Sequence, residues 1–383
     1  MRTGIWLIGG RGSVATTVVV GAAALRAGIV PPVGCVSELP VFAQLALPRF
    51  DELVFGGHDV ADTSLTKRAE VLTAAGVLPA GLADLVRDDL LAADAELRPG
   101  TCDPDGGSEG AACGRIAADI DDFRRRHGLA RVVVVNVAST EPRPHMPAGH
   151  PAFASWPALE AAMGGTDRLL PASSRYACAA LLAGCPFVDF TPSTGARLPA
   201  LDELARLRRL PYAGSDGKTG ETLVKSVLAA MFARRALRVR SWSGTNLLGG
   251  GDGANLAEPD RAASKADSKA LVLQGVLDHP VDGGVHIHNV PDLGEWKTAW
   301  DHIGFEGFLG VRMTMQFTWQ GCDSTLAAPL VLDLARFLAL AHQAGHSGAV
   351  PELGFFFKDP VGATEHVLER QFATLVDWAG ALS

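Results

Sequence analysis

Lysine and threonine side chains follow closely spaced glycines in the segment Gly214–Lys225, which reads Gly-Ser-Asp-Gly-Lys-Thr-Gly-Glu-Thr-Leu-Val-Lys. Glycine turns followed by an apolar stretch predict a loop that leads into a helix, with Thr219 and Thr222 near the helix start. Backbone amides at a helix N-terminus attract anions. Lys218 and Lys225 are about two helical turns apart, so they can share one face of that helix. The segment therefore predicts an anion-binding site.

Three further segments in the second half of the chain carry polar side chains without the pattern of a solvated surface. Residues 243–256 are rich in glycine and include Asn246, so that backbone amides and a side-chain amide can reach a ligand. Lys265 and Lys269 lie four residues apart on a predicted helix, and Lys358 follows an apolar run. Because lysine suits phosphate binding and oxyanion stabilisation, these segments predict a site for one or both.

A glycine turn near the N-terminus is of the type that binds dinucleotides. The apolar run Gly4–Ile8 precedes Gly-Gly-Arg-Gly-Ser-Val-Ala, in which Gly10, Gly12 and Ala15 fit the pattern G-x-G-x-x-A. The first glycine permits the turn, the second lets the backbone approach a pyrophosphate, and the small third residue lets helix pack on strand. The turn therefore predicts a dinucleotide site, although a structural turn that binds no ligand would have the same pattern.

An acidic residue follows the second predicted strand, at Val33–Val36. Glu38 lies about 26 residues after Gly12, near the spacing at which an acid accepts a hydrogen bond from the ribose 2′-hydroxyl of NAD. No arginine stands beside it to hold a 2′-phosphate. The sequence therefore favours NAD over NADP.

Strands and helices alternate over the first 195 residues, which predicts a doubly wound parallel α/β sheet. The run Arg131–Asn136 is β-branched without alternation, which is typical of a strand buried on both faces. Asn136, Ser139, Thr140 and Glu141 follow at its carboxyl end, where ligands bind in such sheets. After about residue 200, more alternating strands predict a second domain with a mixed or antiparallel sheet. Other predicted elements are helices at 116–127, 173–183 and 323–345 and strands at 187–190, 239–243, 285–290 and 353–357.

Composition and charge exclude several classes of function. Hydrophobic residues make up 48% of the 383 residues and charged residues 20%, a globular balance that excludes intrinsic disorder. The formal charge is −8 without a basic run, so we expect no nucleic-acid partner, and no segment predicts a membrane span. The six cysteines form no CxxC pair, which indicates reduced thiols in a cytoplasmic protein. His286 and His288 alternate on a predicted strand, but no metal-site spacing accompanies them, and we expect no metal.

Several motifs occur together in the order typical of one family. They are the glycine turn, Phe55-Gly-Gly-His-Asp59, Asn136-Val-Ala-Ser-Thr-Glu-Pro142, Gly214-Ser-Asp-Gly-Lys-Thr-Gly-Glu-Thr222, Asn246-Leu-Leu-Gly-Gly-Gly-Asp-Gly253, Ser264-Lys-Ala-Asp-Ser-Lys269 and Ala327-Ala-Pro-Leu-Val-Leu-Asp-Leu334. On these motifs the chain resembles the myo-inositol-1-phosphate synthase (inositol-3-phosphate synthase) family, and most of all its shorter archaeal type. The resemblance spans nearly the whole length.

The resemblance implies an α/β fold, with a Rossmann-like NAD domain at 1–200 plus 308–383. An inserted α+β domain at 201–307 would carry catalytic residues and build a homotetramer. The implied reaction converts glucose 6-phosphate to a myo-inositol phosphate without net redox change. NAD oxidises C5, C6 is deprotonated to an enolate and attacks the C1 aldehyde, and NADH reduces the remaining ketone.

The resemblance also implies roles for individual residues. The catalytic residues expected are Lys218, Lys225, Lys265, Lys269, Lys358 and Asp282. The ammonium groups of the lysines would stabilise the enolate and alkoxide oxygens, and Lys269 and Lys358 would polarise the carbonyl and transfer protons. Cofactor contacts are expected from Gly10, Arg11, Gly12, Ser13, Val14, Glu38, Asn136, Ser139, Thr140, Asp189, Asp216 and Asp323. Contacts with the substrate phosphate are expected from Ser215, Thr219, Gly220, Thr222, Asn246, Leu248 and Gly249.

Two segments depart from the family pattern. Gly244-Thr245-Asn246 stands where the family usually has Ser-Tyr-Asn, and Asp189-Phe-Thr-Pro replaces an Asn-Gly-Ser-Pro-type segment. These changes leave open a related cyclase that takes fructose 6-phosphate and closes a five-membered ring between C6 and C2. A dinucleotide site would also fit an ordinary dehydrogenase that releases NADH, or a catalytically inactive NAD-binding module.

Overall fold

Two β-sheets organise the chain in the computed structural model, which describes residues 1–382 except 102–106, 143, 145, 148, 166, 251–272 and 274. The strands are β1 (Thr3–Ile8), β2 (Leu53–Asp59), β3 (Leu97–Pro99), β4 (Arg131–Asn136), β5 (Phe187–Asp189), β6 (Pro211–Gly214), β7 (Arg238–Leu248), β8 (Val285–Asn289), β9 (Trp296–Glu306), β10 (Arg312–Cys322) and β11 (Gly348–Ala349). The first sheet is parallel, with the order β11-β6-β5-β4-β1-β2-β3.

Helices connect and cover these strands. They are α1 (Ser13–Arg26), α2 (Leu65–Ala74), α3 (Leu82–Leu85), α4 (Arg87–Ala95), α5 (Glu109–Arg126), α6 (Trp156–Ala162), α7 (Ala172–Leu182), α8 (Pro199–Arg208), α9 (Gly220–Arg234), α10 (Asp323–Gln343) and α11 (Leu368–Gly380). The helices and strands predicted from the sequence at 116–127, 131–136, 173–183, 187–190, 239–243, 285–290 and 323–345 are confirmed within a few residues, except that the first of these helices begins seven residues earlier.

The first sheet is buried on both faces because successive side chains of its central strands point in opposite directions. Ile5 and Leu7 of β1 pack in one core with α1 and α10. Trp6 and Ile8 pack in the other core with α5 and α7. The small side chains of α1, an alanine- and valine-rich helix, let it lie close to α10. This arrangement confirms the predicted doubly wound α/β fold.

The second sheet is mixed, as predicted, with the strand order β10-β9-β7-β8. β9 pairs antiparallel with β7 and β10, whereas β8 pairs parallel with β7. Helix α9 covers one face, where Phe232 packs in a small core with Trp242 and Ile303. Strand membership differs from the predicted division at 201–307, because β6 belongs to the first sheet and β10 to the second.

The strand predicted at Val33–Val36 is wrong, and the second strand is instead β2. Residues 36–38 form one turn of 3₁₀ helix. Two prolines, Pro31 and Pro32, precede this region and cannot donate to a strand ladder. The amides of Val36 and Ser37 donate to the carboxylate of Asp333 in α10, at 2.6 and 3.1 Å. A buried carboxylate on a neighbouring helix thus satisfies amides that a strand would have paired.

The strand predicted at 353–357 is also wrong, because a 3₁₀ helix spans Pro351–Phe356. Proline at the start of this run fixes φ for a helical turn and supplies no amide donor. Lys358 therefore emerges from a turn that packs on α11, and not from a strand.

Helix α10 is long and apolar enough to cross a membrane by length and composition, but 78% of its most apolar window is buried inside the fold. Its position against α1 and β4 is that of a core helix. Cys35, Cys113, Cys178, Cys185 and Cys322 are buried free thiols, as predicted, and Cys102 lies outside the described residues.

Candidate active site

A cavity of about 920 Å³ opens at the carboxyl edge of the first sheet. The ends of β1, β2 and β4 contribute Ile8, Asp59 and Asn136 to its wall. The other side is formed by the end of β7, the start of β9 and the start of α10. The cavity thus lies where the two sheets meet, at the position at which α/β sheets bind ligands.

The glycine turn forms one end of this cavity. Gly9 has a φ of +82°, which favours glycine, and the amides of Gly9 and Gly10 donate to the carbonyl of His58 in β2. Gly12 is the N-cap of α1 and has no side chain to cap the helix, so the first-turn amides of α1 can bind an anion. These features fit the pyrophosphate of a dinucleotide. The turn therefore has the backbone geometry that a dinucleotide site requires.

Asp59, and not Glu38, is the acid at the end of the second strand. Its carboxylate lines the cavity and accepts a hydrogen bond of 2.7 Å from the amide of Arg11. Glu38 is absent from the cavity wall and forms an ion pair of 2.7 Å with Arg336. The expectation that Glu38 contacts the ribose followed from the misplaced strand. The motif Phe55–Asp59, whose last residue ends β2, carried the signal that could have identified Asp59.

The side chain of Arg11 anchors the glycine turn to the loop before α2 and to α4. Its guanidinium donates to the carbonyl of Thr63 at 3.0 Å and forms an ion pair of 2.5 Å with Asp94 in α4. Arg11 thus contributes its backbone and alkyl chain to the cavity wall, while its charge is neutralised by Asp94.

Lys358 reaches the cavity from the middle of an irregular two-stranded ribbon. Residues 214–218 and 356–361 run side by side, with hydrogen bonds from the Lys218 amide to the Phe356 carbonyl and from the Lys358 amide to the Asp216 carbonyl. The Lys358 ammonium lies 2.8 Å from the Asp216 carboxylate, and both side chains are only 6% exposed. The nearby carboxylate offsets part of the cost of burying the ammonium.

Lys297 is a second cavity ammonium, and the sequence motifs did not indicate it. It lies on β9, buried, and its Nζ is 3.0 Å from Oδ2 of Asp323, the first residue of α10. Thr219 donates to the same carboxylate at 3.4 Å. The alternation of β9 could have signalled it, since Lys297 shares a face with the buried residues Ala299 and Asp301.

Lys225 lies outside the cavity wall, in a buried ionic cluster between α9 and the second sheet. Its ammonium is 2.5 Å from Glu221 and 3.1 Å from Asp301, which also accepts a hydrogen bond of 2.7 Å from the Trp242 indole. Burial raises the pKa of Asp301, although the ammonium opposes the shift. A Cβ at Gly244 would lie 3.0–3.2 Å from all three charged groups, so this departure from the family pattern makes room for the cluster.

Lys218 is also buried outside the cavity wall. Its ammonium donates to the side-chain carbonyl of Gln371 in α11. Burial lowers the pKa of Lys218 to about 7. The lysine thus ties the loop before α9 to the C-terminal helix.

Asp189 lies beneath the cavity floor. Its Oδ1 accepts hydrogen bonds from Thr191 and, at 3.2 Å, from the side-chain amide of Asn136, which lines the cavity. Its Oδ2 is buried, has no hydrogen-bond partner among the described residues, and faces Gly195, where a Cβ would lie only 2.2 Å away. Burial raises the pKa of Asp189 to about 7. Asp189 can therefore support the cofactor site through Asn136.

The structure brings together thirteen of the residues predicted for the site. The cavity wall includes Arg11, Gly12, Ser13, Val14, Asn136, Ser139, Thr140, Asp216, Thr219, Leu248, Gly249, Asp323 and Lys358. Those that do not line the wall are Gly10, Glu38, Asp189, Ser215, Lys218, Gly220, Thr222, Lys225, Asn246 and Asp282. Asp282 is exposed beside β7, and Lys265 and Lys269 lie outside the described residues. In the part of the chain that the structure describes, no three His, Cys, Asp or Glu side chains are placed to hold a metal ion.

Comparisons with known proteins agree with this geometry. Residues 3–379 match the sequence model of the family described as myo-inositol-1-phosphate synthase. The chain is 33% identical to inositol-3-phosphate synthase 1 of Bacteroides thetaiotaomicron, with 97% of this chain and 92% of that protein aligned. It is 31% identical to inositol-3-phosphate synthase of Spirodela polyrhiza over 79% of this chain, and spans 62% of that longer protein. The solved inositol-3-phosphate synthase of Caenorhabditis elegans has the same fold, with a TM-score of 0.86 at 23% identity over 100% of this chain and 86% of that one.

The positions of Asp59 and Glu38 predict opposite effects on dinucleotide binding. We expect Asp59→Ala to weaken NAD binding roughly tenfold or more, because it removes a charged acceptor beside the glycine turn. Glu38→Ala should leave the NAD dissociation constant within about twofold, since Glu38 contacts Arg336 away from the cavity. Calorimetric titration of both variants with NAD is the measurement. A larger loss in Glu38→Ala than in Asp59→Ala would contradict this assignment.

The raised pKa of Asp189 predicts a pH dependence of stability. Its pKa rises from 3.8 to about 7 on folding, so the native state binds the proton more tightly and the free energy of unfolding falls as pH rises through this window. The substitution Asp189→Asn should abolish this decrease in the free energy of unfolding, because asparagine does not titrate. We expect the variant to gain roughly 2–3 kcal/mol relative to the native chain between pH 5 and pH 8.

Urea unfolding at the two pH values measures this difference. Asp282→Asn, at an exposed carboxyl, is the matched control and should show the pH dependence of the native chain. Equal pH dependence in Asp189→Asn and the native chain would show that Asp189 does not titrate in this range.

Proposed function

The chain belongs to the myo-inositol-1-phosphate synthase family, and we propose that it converts glucose 6-phosphate to an inositol phosphate in a redox-neutral cyclisation. NAD is the cofactor that membership of this family indicates. The observation that carries the proposal is that one cavity contains both the glycine turn and two buried ammonium groups, those of Lys297 and Lys358. Dinucleotide binding and the stabilisation of negative oxygen can therefore occur in the same space.

The glycine turn and the carboxyl end of β4 would hold the cofactor. The pyrophosphate would bind at the N-terminus of α1, next to Gly12 and Ser13, and a ribose would bind near Asp59. Ser139 and Thr140, beyond β4, can donate hydrogen bonds from the opposite wall. Bound NAD would supply removal of a hydride from the sugar and its return at the end of the sequence.

Lys297 and Lys358 would stabilise the oxygens that become negative when the sugar enolises and when the new carbon–carbon bond forms. Each ammonium is held by a carboxylate, Asp323 for Lys297 and Asp216 for Lys358. A charge fixed in advance needs little reorganisation during the reaction, and its effect is strong because the site is shielded from water. Either ammonium can also donate a proton to the alkoxide that forms with the new carbon–carbon bond.

The start of α9 would bind the substrate phosphate. Thr219 is the N-cap of α9 and lines the cavity, as does Gly249, the residue after β7. A phosphate there would be near the Lys297 ammonium, because Thr219 and Lys297 contact the same carboxylate of Asp323. Ser215, Gly220 and Thr222 would support this binding from within the loop and helix. The proposed phosphate position is thus at the end of the cavity away from the glycine turn.

The departure from the family pattern at Gly244 and Thr245 does not alter the wall of the cavity. Neither residue lines it, and a Cβ at Gly244 would instead meet the ionic cluster around Lys225. The altered segment therefore accommodates that cluster, and it gives no reason to expect fructose 6-phosphate in place of glucose 6-phosphate.

A homotetramer is the second part of the proposal. The β9–β10 hairpin exposes Phe308 and Leu309 by 87% and 84%. Exposed apolar surface of this kind is typical of protein–protein interfaces, and it supports assembly through the second sheet.

Product analysis tests the reaction. With glucose 6-phosphate and NAD we expect a six-membered cyclitol phosphate by NMR, without NADH accumulating, because the hydride returns to the product. Fructose 6-phosphate in a parallel reaction should give no cyclic product. Stoichiometric NADH release would instead indicate an ordinary dehydrogenase, and a five-membered product from fructose 6-phosphate would indicate the related cyclase.

Lys297 provides the variant that tests the site. Lys297→Met should lower kcat by about 10²–10³-fold, the loss typical when one oxyanion donor is removed. The dissociation constant of NAD should stay within about threefold, since the glycine turn lies at the other end of the cavity. Lys67→Ala, at an exposed lysine of α2, is the control and should keep native kcat. A kcat within tenfold of native in Lys297→Met would rule out this role.

A further inference from the structure

Trp296 lies where the second sheet meets the helices of the first. It is the first residue of β9, immediately before Lys297, and its indole lines the cavity. The indole Nε1–H donates a hydrogen bond of 2.9 Å to the carbonyl of Ala75, the C-cap residue directly after α2. Carbonyls at a helix C-terminus have no partner within the helix, so this one is available to an outside donor. The contact joins residues 221 positions apart in the chain.

The hydrogen bond between Trp296 and Ala75 lies at the mouth of the cavity. Trp296 is 43% exposed although it lines the cavity, so its side chain borders solvent and the interior together. On the other side of the contact, α2 follows directly after the loop that begins at Asp59, and Arg68 of α2 also lines the cavity. The indole therefore bridges the substrate wall, at β9, and the nucleotide wall, at α2.

The redox-neutral reaction requires such a closure. The hydride removed from the sugar must return to the same sugar, and a proton transfer and a carbon–carbon bond formation separate the two hydride transfers. If NADH left before the second transfer, the ketone would remain unreduced and NAD would be consumed. Release of the cofactor must therefore be slow compared with one complete turnover.

We propose that Trp296 retains the dinucleotide during turnover by closing the cavity mouth through its hydrogen bond to Ala75. The inference rests on the proposed function and adds to it a residue that the motifs did not indicate. Trp296 acts here through position, by covering bound cofactor, while the adjacent Lys297 acts on the sugar. Two adjacent residues of β9 thus serve the two halves of the site, Trp296 by covering the cofactor and Lys297 by acting on the sugar.

Strand β9 offers a matched control in Trp300. Trp300 lies four residues further along, on the same face of the strand, and is 42% exposed, but it does not line the cavity. Substitution of either tryptophan removes a similar exposed indole from the same strand. Only the Trp296 variants remove the contact with Ala75.

Stopped-flow measurement of NAD release from the full chain tests the proposal. We expect Trp296→Ala to release NAD roughly tenfold faster or more, and Trp296→Phe, which keeps a ring but loses the N–H, roughly 3- to 10-fold faster. Trp300→Ala should release NAD within about twofold of the native rate. During turnover of glucose 6-phosphate, the Trp296 variants should also leave free NADH in solution, in a measurable ratio to cyclitol phosphate.

Native release rates in both Trp296 variants would overturn the proposal, as would equal acceleration in Trp300→Ala. If Trp296→Ala does not fold, as judged by thermal unfolding, Trp296→Phe decides the question. Absence of any cyclitol phosphate from the native chain would refute the proposed function, whereas the release rates of NAD alone decide whether Trp296 closes the mouth.

Discussion

Helix α10 is buried along most of its length and joins the two β-sheets, and the position of the cavity follows from this packing. Its first residue, Asp323, pairs with Lys297 in the cavity, and ten residues further on Asp333 accepts the amides of Val36 and Ser37. A helix of 21 residues is roughly 30 Å long and rigid, so it fixes the second sheet relative to the first. β10 runs into it without a linker, which leaves the start of α10 at the junction of the two sheets. The site forms at that junction.

Charge compensation explains how several charged side chains can be buried around the site. Lys297, Lys358 and Lys225 each have a carboxylate within about 3 Å. Burying an unpaired ammonium costs several kcal/mol, and a carboxylate in contact with it offsets part of that cost. Lys218 contacts a neutral amide instead, and its pKa falls to about 7 accordingly. Position separates the four lysines further, because Lys297 and Lys358 line the cavity, where they can stabilise negative oxygen, whereas Lys225 and Lys218 lie outside its wall and contact groups on α9 and α11.

Local motifs predicted the structure most successfully. The glycine turn, the helix after Thr219 and the buried strand β4 were all predicted, because turn chemistry and periodicity depend on neighbouring residues. Prediction failed at 353–357, where Pro351 starts a helical turn, and at Val33–Val36, where a partner distant in sequence decides the conformation. The amides of Val36 and Ser37 are satisfied by a helix nearly 300 residues away. The error about Glu38 followed from the first failure, and Asp59 occupies the expected position at the end of the true second strand.

The fold class, the dinucleotide turn, the cofactor and the family could all be predicted from the sequence, since each of these is encoded in contiguous motifs. Which charged residues share a cavity could be seen only in the folded structure. Lys297, Asp59 and Trp296 line it although the site predictions omitted them, whereas Lys225 and Lys218 lie behind it. The physical reason is that the direction of a side chain depends on strand register and helix packing across the two sheets. Those contacts join residues hundreds of positions apart, so a local sequence pattern cannot predict them.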